Sequence, residues 1–108
     1  MAGEVERGDI WMYEFRQPDK RRPVLVLSRP AALALLDSVI VAPITTTVRG
    51  LPSEVLLGDK DGLKHASAAS LDNVQTVRKA GLKRYVGHAD ERTMALVCRA
   101  LAVATGCS

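Results

Sequence analysis

The sequence contains few of the residues that mark metal-binding or membrane-spanning chains. Its two cysteines, Cys98 and Cys107, lie nine positions apart without C-x-x-C spacing or a neighbouring histidine, so a zinc site is not expected. No apolar run approaches the roughly 20 residues that a membrane-spanning helix needs. The first seven residues lack the charged-then-apolar pattern of a signal peptide. We therefore expect a cytoplasmic protein with no contact to a membrane.

Aromatic residues are also scarce, with one Trp, two Tyr and one Phe among 108 residues. Hydrophobic residues nevertheless make up 47% of the chain, which indicates an aliphatic, folded globule. The length predicts a single domain over residues 1–108, with a modest core that a dimer interface would support. The formal charge of +3 is too small to indicate nucleic-acid binding by itself.

The positive charges are grouped in two clusters. The first flanks the strand ends discussed below and comprises Arg16, Lys20, Arg21, Arg22 and Arg49. The second comprises Arg78, Lys79, Lys83 and Arg84. The first cluster is a candidate phosphate-binding surface. The second is interpreted as a solvated loop or as a surface for an acidic protein partner.

Short apolar runs separated by turn residues predict several strands. The pattern favours strands over residues 10–15, 24–27, 39–44, 53–57 and 83–86, and one long, bent strand over residues 66–77. Trp11, Tyr13 and Phe15 alternate onto one face of the first strand, where we expect them to fill the core rather than to stack bases. A short helix is predicted to start at Arg29-Pro30 and to run through Ala31 to Leu36, with Pro30 in its first turn.

A longer helix is predicted near the C-terminus. Asp90 is a suitable N-cap and Gly106 a suitable stop. The apolar stripe between them predicts a buried face, with Cys98 as a core thiol, formed by Met94, Val97, Cys98, Leu101 and Ala102. Many short strands with a C-terminal helix predict a mainly β fold with α, a small SH3-like β-barrel.

Two segments carry reactive side chains at the ends of predicted strands. Arg22 precedes Pro23 and the run 24–27, and Thr45 follows the run 39–44. If the two strands are neighbours, a guanidinium and a hydroxyl can meet on rigid backbone. Such a pair suits the stabilisation of a phosphate whose negative charge increases during a reaction.

Four motifs in this order resemble the MazF/PemK family of toxins from type II toxin–antitoxin systems. They are residues 8–11 (GDIW), 22–28 (RPVLVLS), 41–46 (VAPITT) and 71–77 (LDNVQTV), followed by a C-terminal helix. The resemblance extends from about Arg7 to Thr105. It implies a CcdB/PemK-type barrel, a homodimer and a MazE-like antitoxin as partner. It also implies an mRNA interferase, a sequence-selective endoribonuclease that cleaves single-stranded RNA without a metal or other cofactor.

The resemblance also implies the roles of individual residues. Arg22 and Thr45 match the catalytic positions of the family motif. The substrate-binding residues that we expect around them are Arg16, Lys20, Arg21, Thr46, Thr47, Arg49, Asp72, Asn73 and Gln75. Asp72 is interpreted as a base, as a group that orients a nucleotide, or as a partner of loop backbone. His65 and His88 lie outside the motifs, and a two-histidine mechanism is not expected.

Simpler interpretations exist for the same residues. Arg22 could form a surface ion pair with Glu54 or Asp19, and Thr45 could cap a turn. The chain could also be a CcdB-like gyrase-binding toxin, although its last seven residues lack the aromatic contact expected of one. A non-enzymatic SH3-like binding domain would need neither strand-end motif. The first loop is shorter than in many members of the family and lacks a glutamate, so the cleaved sequence cannot be read from this chain.

Overall fold

The computed structural model describes residues 4–16 and 21–107, which form seven strands, two α-helices and three 3₁₀ turns. The strands are β1 (Asp9–Glu14), β2 (Arg21–Val26), β3 (Ser38–Thr45), β4 (Glu54–Leu57), β5 (Ser67–Ser70), β6 (Gln75–Arg78) and β7 (Leu82–His88). The helices are α1 (Pro30–Leu35) and α2 (Glu91–Thr105). The 3₁₀ turns are Asp59–Asp61, Leu71–Asn73 and Lys79–Gly81. Neither helix has the length and apolarity needed to cross a membrane.

All the strand pairs are antiparallel. The strand order is β4–β5–β3–β2–β1–β7, and β6 also pairs with β3. No pairing among the described strands joins β4 to β7, so the sheet forms an open, barrel-like layer. The predicted mainly β fold with a C-terminal helix is confirmed.

The centre of the sheet, along β2, is buried on both faces. One core contains Ile10, Leu25 and Leu27 together with Val97 and Ala100 of α2. The other core contains Val24 and Val26, the alternate residues of β2, together with Leu33 of α1. Because successive residues of a strand point to opposite faces, a strand buried on both faces is a continuous apolar run. This explains why residues 24–27 contain no polar residue.

The aromatic residues of β1 belong to the second core, as predicted. Trp11 and Tyr13 are buried, and Phe15 packs against the same cluster while remaining partly exposed. The Trp11 indole N–H donates to Asp9 Oδ2 at 3.2 Å, and the Glu6 backbone N–H donates to the same oxygen at 2.9 Å. Asp9 is itself buried, and it ties the chain before β1 to the strand.

The caps of α2 are those predicted. Asp90 Oδ1 accepts a hydrogen bond from the Thr93 backbone N–H at 2.8 Å. Bonds from the Thr93 backbone and side chain hold the pKa of Asp90 below its ordinary value, because they favour the charged carboxylate. Gly106 ends the helix in the left-handed conformation, at φ 72°.

The predicted buried face of α2 is partly wrong. The buried residues of the helix are Thr93, Val97 and Ala100, and Cys98 is exposed. A guanidinium N–H of Arg7 donates to Cys98 Sγ at 3.3 Å. The helix therefore docks with a face rotated away from Cys98, and that thiol is not part of the core.

The long strand predicted over residues 66–77 is two strands separated by a 3₁₀ turn. Ile44 of β3 pairs with Ala69, whereas Val41 pairs with Gln75. Between Ile44 and Val41 the strand β3 advances by three residues, whereas the segment paired with it advances by six, from Ala69 to Gln75. Three residues of that segment therefore have no place in the ladder. The turn Leu71–Asn73 accommodates these three residues.

Candidate active site

A groove of about 930 Å³ opens at the end of the sheet where β2 begins and β3 finishes. Its walls come from strands β2 to β6, from the segments that follow β1 and β3, and from the turn Leu71–Asn73. The lining residues are Phe15, Arg16, Arg22, Pro43, Ile44, Thr45, Thr47, Arg49, Leu51, Glu54, Ser70, Asp72, Asn73 and Gln75. Three arginines and two carboxylates therefore share one cavity.

The pairing of β2 with β3 explains why Arg22 and Thr45 lie in the same groove. Val24 is opposite Pro43 and Val26 is opposite Val41. Extending this antiparallel register by two residues places Arg22 opposite Thr45. Residues two apart on a strand point the same way, so Arg22 and Thr45 lie on the same face of the sheet as the paired residues Val24 and Pro43. The juxtaposition that the sequence suggested thus follows from strand register.

Thr45 has the turn contact that the simpler interpretation anticipated. Its Oγ1 accepts a hydrogen bond from the Thr47 backbone N–H at 3.0 Å. A hydroxyl has one donor and two acceptor sites, so this bond fixes the oxygen without using the hydroxyl proton. The proton can still be donated to a ligand in the groove.

The arginines of the groove differ from their neighbour Arg21. Arg21 forms an ion pair with Glu14 at 3.5 Å, directly across the β1–β2 ladder. Within residues 4–16 and 21–107, no carboxylate lies within ion-pair distance of Arg16, Arg22 or Arg49. No ion pair with a described residue therefore competes with an anion for these guanidinium groups.

Glu54 does not pair with Arg22, and that interpretation is wrong. Its Oε1 instead accepts hydrogen bonds from the backbone N–H groups of Arg49 and Leu51, at 3.0 and 3.3 Å. This carboxylate holds the loop that carries Arg49 along one wall of the groove. Asp19, the other partner suggested by the sequence, lies outside the described residues.

The opposite wall is the turn Leu71–Asn73. Leu71 is buried in the core beneath the turn, whereas Asp72 and Asn73 are exposed in the groove. The Ser53 hydroxyl donates to Asp72 Oδ2, and Asn73 Nδ2 donates to Ser70 Oγ at 2.8 Å. Of the three interpretations of Asp72, bonding to loop backbone is not what the structure shows.

Eight of the eleven predicted site residues line the groove. Arg21 and Thr46 do not line it. Arg21 directly precedes Arg22 on β2, where successive residues point to opposite faces, and Thr46 follows the last residue of β3. Lys20 lies outside the described residues. The lining residues that the sequence did not predict as site residues are Phe15, Pro43, Ile44, Leu51 and Ser70, and Glu54 was expected only as an ion-pair partner. The one feature of the sequence that could have indicated a role for Glu54 in the groove is its charge at the start of the otherwise apolar strand β4.

Both histidines lie away from the groove lining. His88 Nδ1 is 2.8 Å from Asp9 Oδ1, and because a carboxylate only accepts hydrogen bonds, Nδ1 carries the proton. Ligand atoms of Glu6, Asp9 and His88 lie within 4.8 Å of one another, a spacing compatible with a metal ion. Both Asp9 oxygens already accept hydrogen bonds, however. A structural hydrogen-bond network therefore explains why these three residues lie close together.

The arrangement suits the binding of an anion rather than nucleophilic attack by the protein. Guanidinium groups bind phosphate oxygens in pairs, and a nearby hydroxyl can donate to a third oxygen. Among the described residues, the groove lining contains no cysteine, lysine or histidine. The described lining therefore offers no thiolate, amine or imidazole as a nucleophile for chemistry at a bound phosphate.

Comparison with known proteins identifies relatives over nearly the whole chain. A family model described as the PemK-like, MazF-like toxin of type II toxin–antitoxin systems matches residues 6–105. A protein named probable endoribonuclease MazF5, from Mycobacterium tuberculosis strain H37Rv, is 45% identical over 109 residues. That alignment covers 100% of this chain and 99% of the relative.

Solved structures of similar proteins share the fold. The Mycobacterium tuberculosis toxin MazF-mt6 has a TM-score of 0.85 at 37% identity, with 93% of this chain and 98% of that one covered. A mycobacterial endoribonuclease in complex with its cognate antitoxin has a TM-score of 0.87 at 29% identity. That match covers 96% of this chain and 97% of the other.

Proposed function

The chain belongs to the PemK-like, MazF-like family of toxins from type II toxin–antitoxin systems, as its motifs predicted, and we propose that it is an endoribonuclease that cuts single-stranded RNA in its groove. The observation that carries the proposal is the register of β2 and β3, which brings Arg22 and Thr45 to one cavity. The endoribonuclease names of the relatives support the same activity.

The reaction is an attack by the 2′-hydroxyl oxygen of RNA on the adjacent phosphorus. A bond forms from O2′ to phosphorus as the 2′-hydroxyl loses its proton, and the bond from phosphorus to O5′ breaks as O5′ gains a proton. The products carry a 2′,3′-cyclic phosphate and a 5′-hydroxyl. Because the nucleophile lies beside its target, the substrate supplies proximity and the protein need not hold a metal. The protein must align the backbone and stabilise the extra negative charge of the transition state.

Arg22 and Thr45 divide that task. The Arg22 guanidinium keeps its positive charge at all ordinary pH values and contacts two non-bridging oxygens of the phosphate. The Thr45 hydroxyl, fixed by Thr47, donates to an oxygen of the same phosphate. Arg16 and Arg49 bind neighbouring phosphates along the groove.

The remaining groove residues contact the nucleotides. Single-stranded RNA is read through hydrogen bonds to exposed base edges, which suit the carboxylate of Asp72 and the amides of Asn73 and Gln75. Of the two groove carboxylates, Glu54 is engaged by loop backbone, and Asp72 accepts only from Ser53 among the described residues. We therefore assign Asp72 to a hydrogen bond with the RNA.

Removing the guanidinium tests the assignment of Arg22. Arg22→Ala should lower the cleavage rate about 10² to 10³-fold, the typical loss for one donor to a transition-state oxyanion. Arg22→Lys should recover little, since an ammonium cannot make a bidentate contact. The matched control is Arg21→Ala, which removes the adjacent arginine outside the groove. Equal rates for the Arg21→Ala and Arg22→Ala proteins in a labelled-RNA assay would refute this role.

Thr45 allows a separate test of the hydroxyl. Thr45→Ala should slow cleavage strongly with little change in RNA affinity, whereas Thr45→Ser should keep substantial activity because the donor remains. Thr46→Ala is the control, since its side chain is exposed and outside the groove lining. Equal losses in the Ser and Ala variants would point to packing of the methyl group instead.

The nucleophile is tested on the substrate. Cleavage should continue in EDTA, and replacing the 2′-hydroxyl at the cut site by 2′-O-methyl should abolish it at that position alone. The matching DNA strand should resist. Mass spectrometry of the products should find a 2′,3′-cyclic phosphate or 3′-phosphate. Continued cutting at the methylated nucleotide would exclude the mechanism, and an uncut natural RNA would favour a binding toxin of the gyrase-poisoning kind.

We further propose a homodimer that acts in the cytoplasm and is inhibited by a MazE-like antitoxin. Three exposed apolar side chains lie in edge strand β4 and in the segment that leads into it: Val48 and Leu51 before the strand, and Leu56 within it. Burial of such a patch against a second copy would remove it from water. A related endoribonuclease has been solved with its cognate antitoxin, which supports a partner of that kind.

An acidic antitoxin segment should compete with RNA for the groove. Carboxylates and phosphates would use the same arginines, so both affinities should fall as the salt concentration rises. Fluorescence anisotropy with labelled RNA measures the competition, and light scattering measures the mass of the free toxin. An antitoxin that leaves RNA affinity unchanged would contradict a shared groove, and a monomer at micromolar concentration would contradict the dimer.

A further inference from the structure

Ser53 is a buried residue outside the groove lining that makes two hydrogen bonds to the wall of the groove. It is only 5% exposed. Its carbonyl oxygen accepts from the Leu71 backbone N–H at 3.0 Å, and its hydroxyl donates to Asp72 Oδ2. One contact holds the backbone of the turn Leu71–Asn73, and the other holds a side chain that projects from it.

The neighbouring residue performs the same function on the opposite wall. Glu54 accepts from the backbone N–H groups of Arg49 and Leu51, as described above. Residues 53 and 54 are adjacent in the chain, and Glu54 is opposite Ser70 in the β4–β5 ladder. Two adjacent residues at the start of β4, Ser53 and Glu54, therefore hold the two walls of the groove by hydrogen bonds.

We propose that Ser53 is a positioning residue that orients the Asp72 carboxylate toward bound RNA. The inference rests on the proposed endoribonuclease function and adds to it a residue that does not line the groove. A hydroxyl donating to a carboxylate is a strong, charge-assisted bond. Engaging Oδ2 restricts rotation of the carboxylate and presents Oδ1, which has no hydrogen-bond partner among the described residues.

The two contacts of Ser53 can be separated experimentally. Ser53→Ala removes the hydroxyl and keeps the carbonyl, so the backbone bond to Leu71 remains. The turn should stay in place while the Asp72 side chain gains rotational freedom. Loss of orientation at a reacting or recognising group can reduce rates by about 10- to 100-fold without unfolding the protein.

Ser67 supplies a matched control. It is also a buried serine, and it lies on β5, the strand that pairs with β4. Its hydroxyl donates to the His65 carbonyl at 2.9 Å, and neither residue lines the groove. Ser67→Ala thus removes a buried hydroxyl of the same chemistry from the same sheet without contact to Asp72.

The experiment measures kcat/KM on a short RNA, together with the thermal midpoint of unfolding, for the wild type and each variant. We expect Ser53→Ala to lose about 10-fold or more in kcat/KM, and Ser53→Thr, which keeps the donor, to stay close to wild type. Ser67→Ala should retain wild-type kcat/KM. A Ser53→Ala protein as active as the wild type overturns the proposal, as does a loss that merely follows the unfolded fraction.

A double-mutant cycle with Asp72→Asn tests whether Ser53 affects cleavage through the Asp72 carboxylate. It does not depend on how well the Ser53→Thr variant folds. If Ser53 acts through the carboxylate, Ser53→Ala should change kcat/KM by less than about twofold once Asp72→Asn is present. Two independent, multiplying losses would overturn the positioning role. A wild-type protein that cuts no RNA would overturn the endoribonuclease function and this role with it, whereas independent losses in an active enzyme reject only the role of Ser53.

Discussion

The register of β3 against its neighbours is the constraint on which the rest of the site depends. On one side, its pairing with β2 brings the arginine of the Arg-Pro segment opposite the threonine at the end of β3. On the other side, β3 pairs with β5 and β6 in two registers that differ by three residues. The mismatch forces the turn Leu71–Asn73 out of the sheet and into the groove. A slip of one residue would send every side chain of β3 to the opposite face, so burial on both faces of the sheet fixes the site as well as the core.

Much of this could be predicted from the sequence, because the informative signals are local. Apolar runs bounded by proline and turn residues mark β2 and β3, and Asp90 and Gly106 mark the ends of α2 through their own backbone chemistry. The order of four short motifs then indicated the family. Each of these signals is carried by residues close together in the chain.

The features that could not be predicted arise from contacts between distant segments. The turn within residues 66–77 exists because two parts of that segment pair with β3 in different registers, and no local residue encodes a register. The buried face of α2 depends on how the helix docks, so a stripe chosen by helical period alone included Cys98 in error. Arg21 was assigned to the site by proximity in sequence, although strand alternation turns the direct neighbour of Arg22 away from the groove. Ser53 gave no signal, because a serine near a proline is typical of any turn.

The C-terminal helix shows how a distant element can support the groove without lining it. Val97 and Ala100 of α2 share a core with Leu71, the first residue of the turn that carries Asp72 and Asn73. Leu71 is held from below by this apolar packing, and its backbone is held from the side by the carbonyl of Ser53. A three-residue turn has too few internal contacts to keep one conformation in water, since ordering each residue costs about 1–2 kcal/mol. Packing against the helix and the hydrogen bonds with Ser53 together offset that cost and hold the turn that presents Asp72 and Asn73 to the groove.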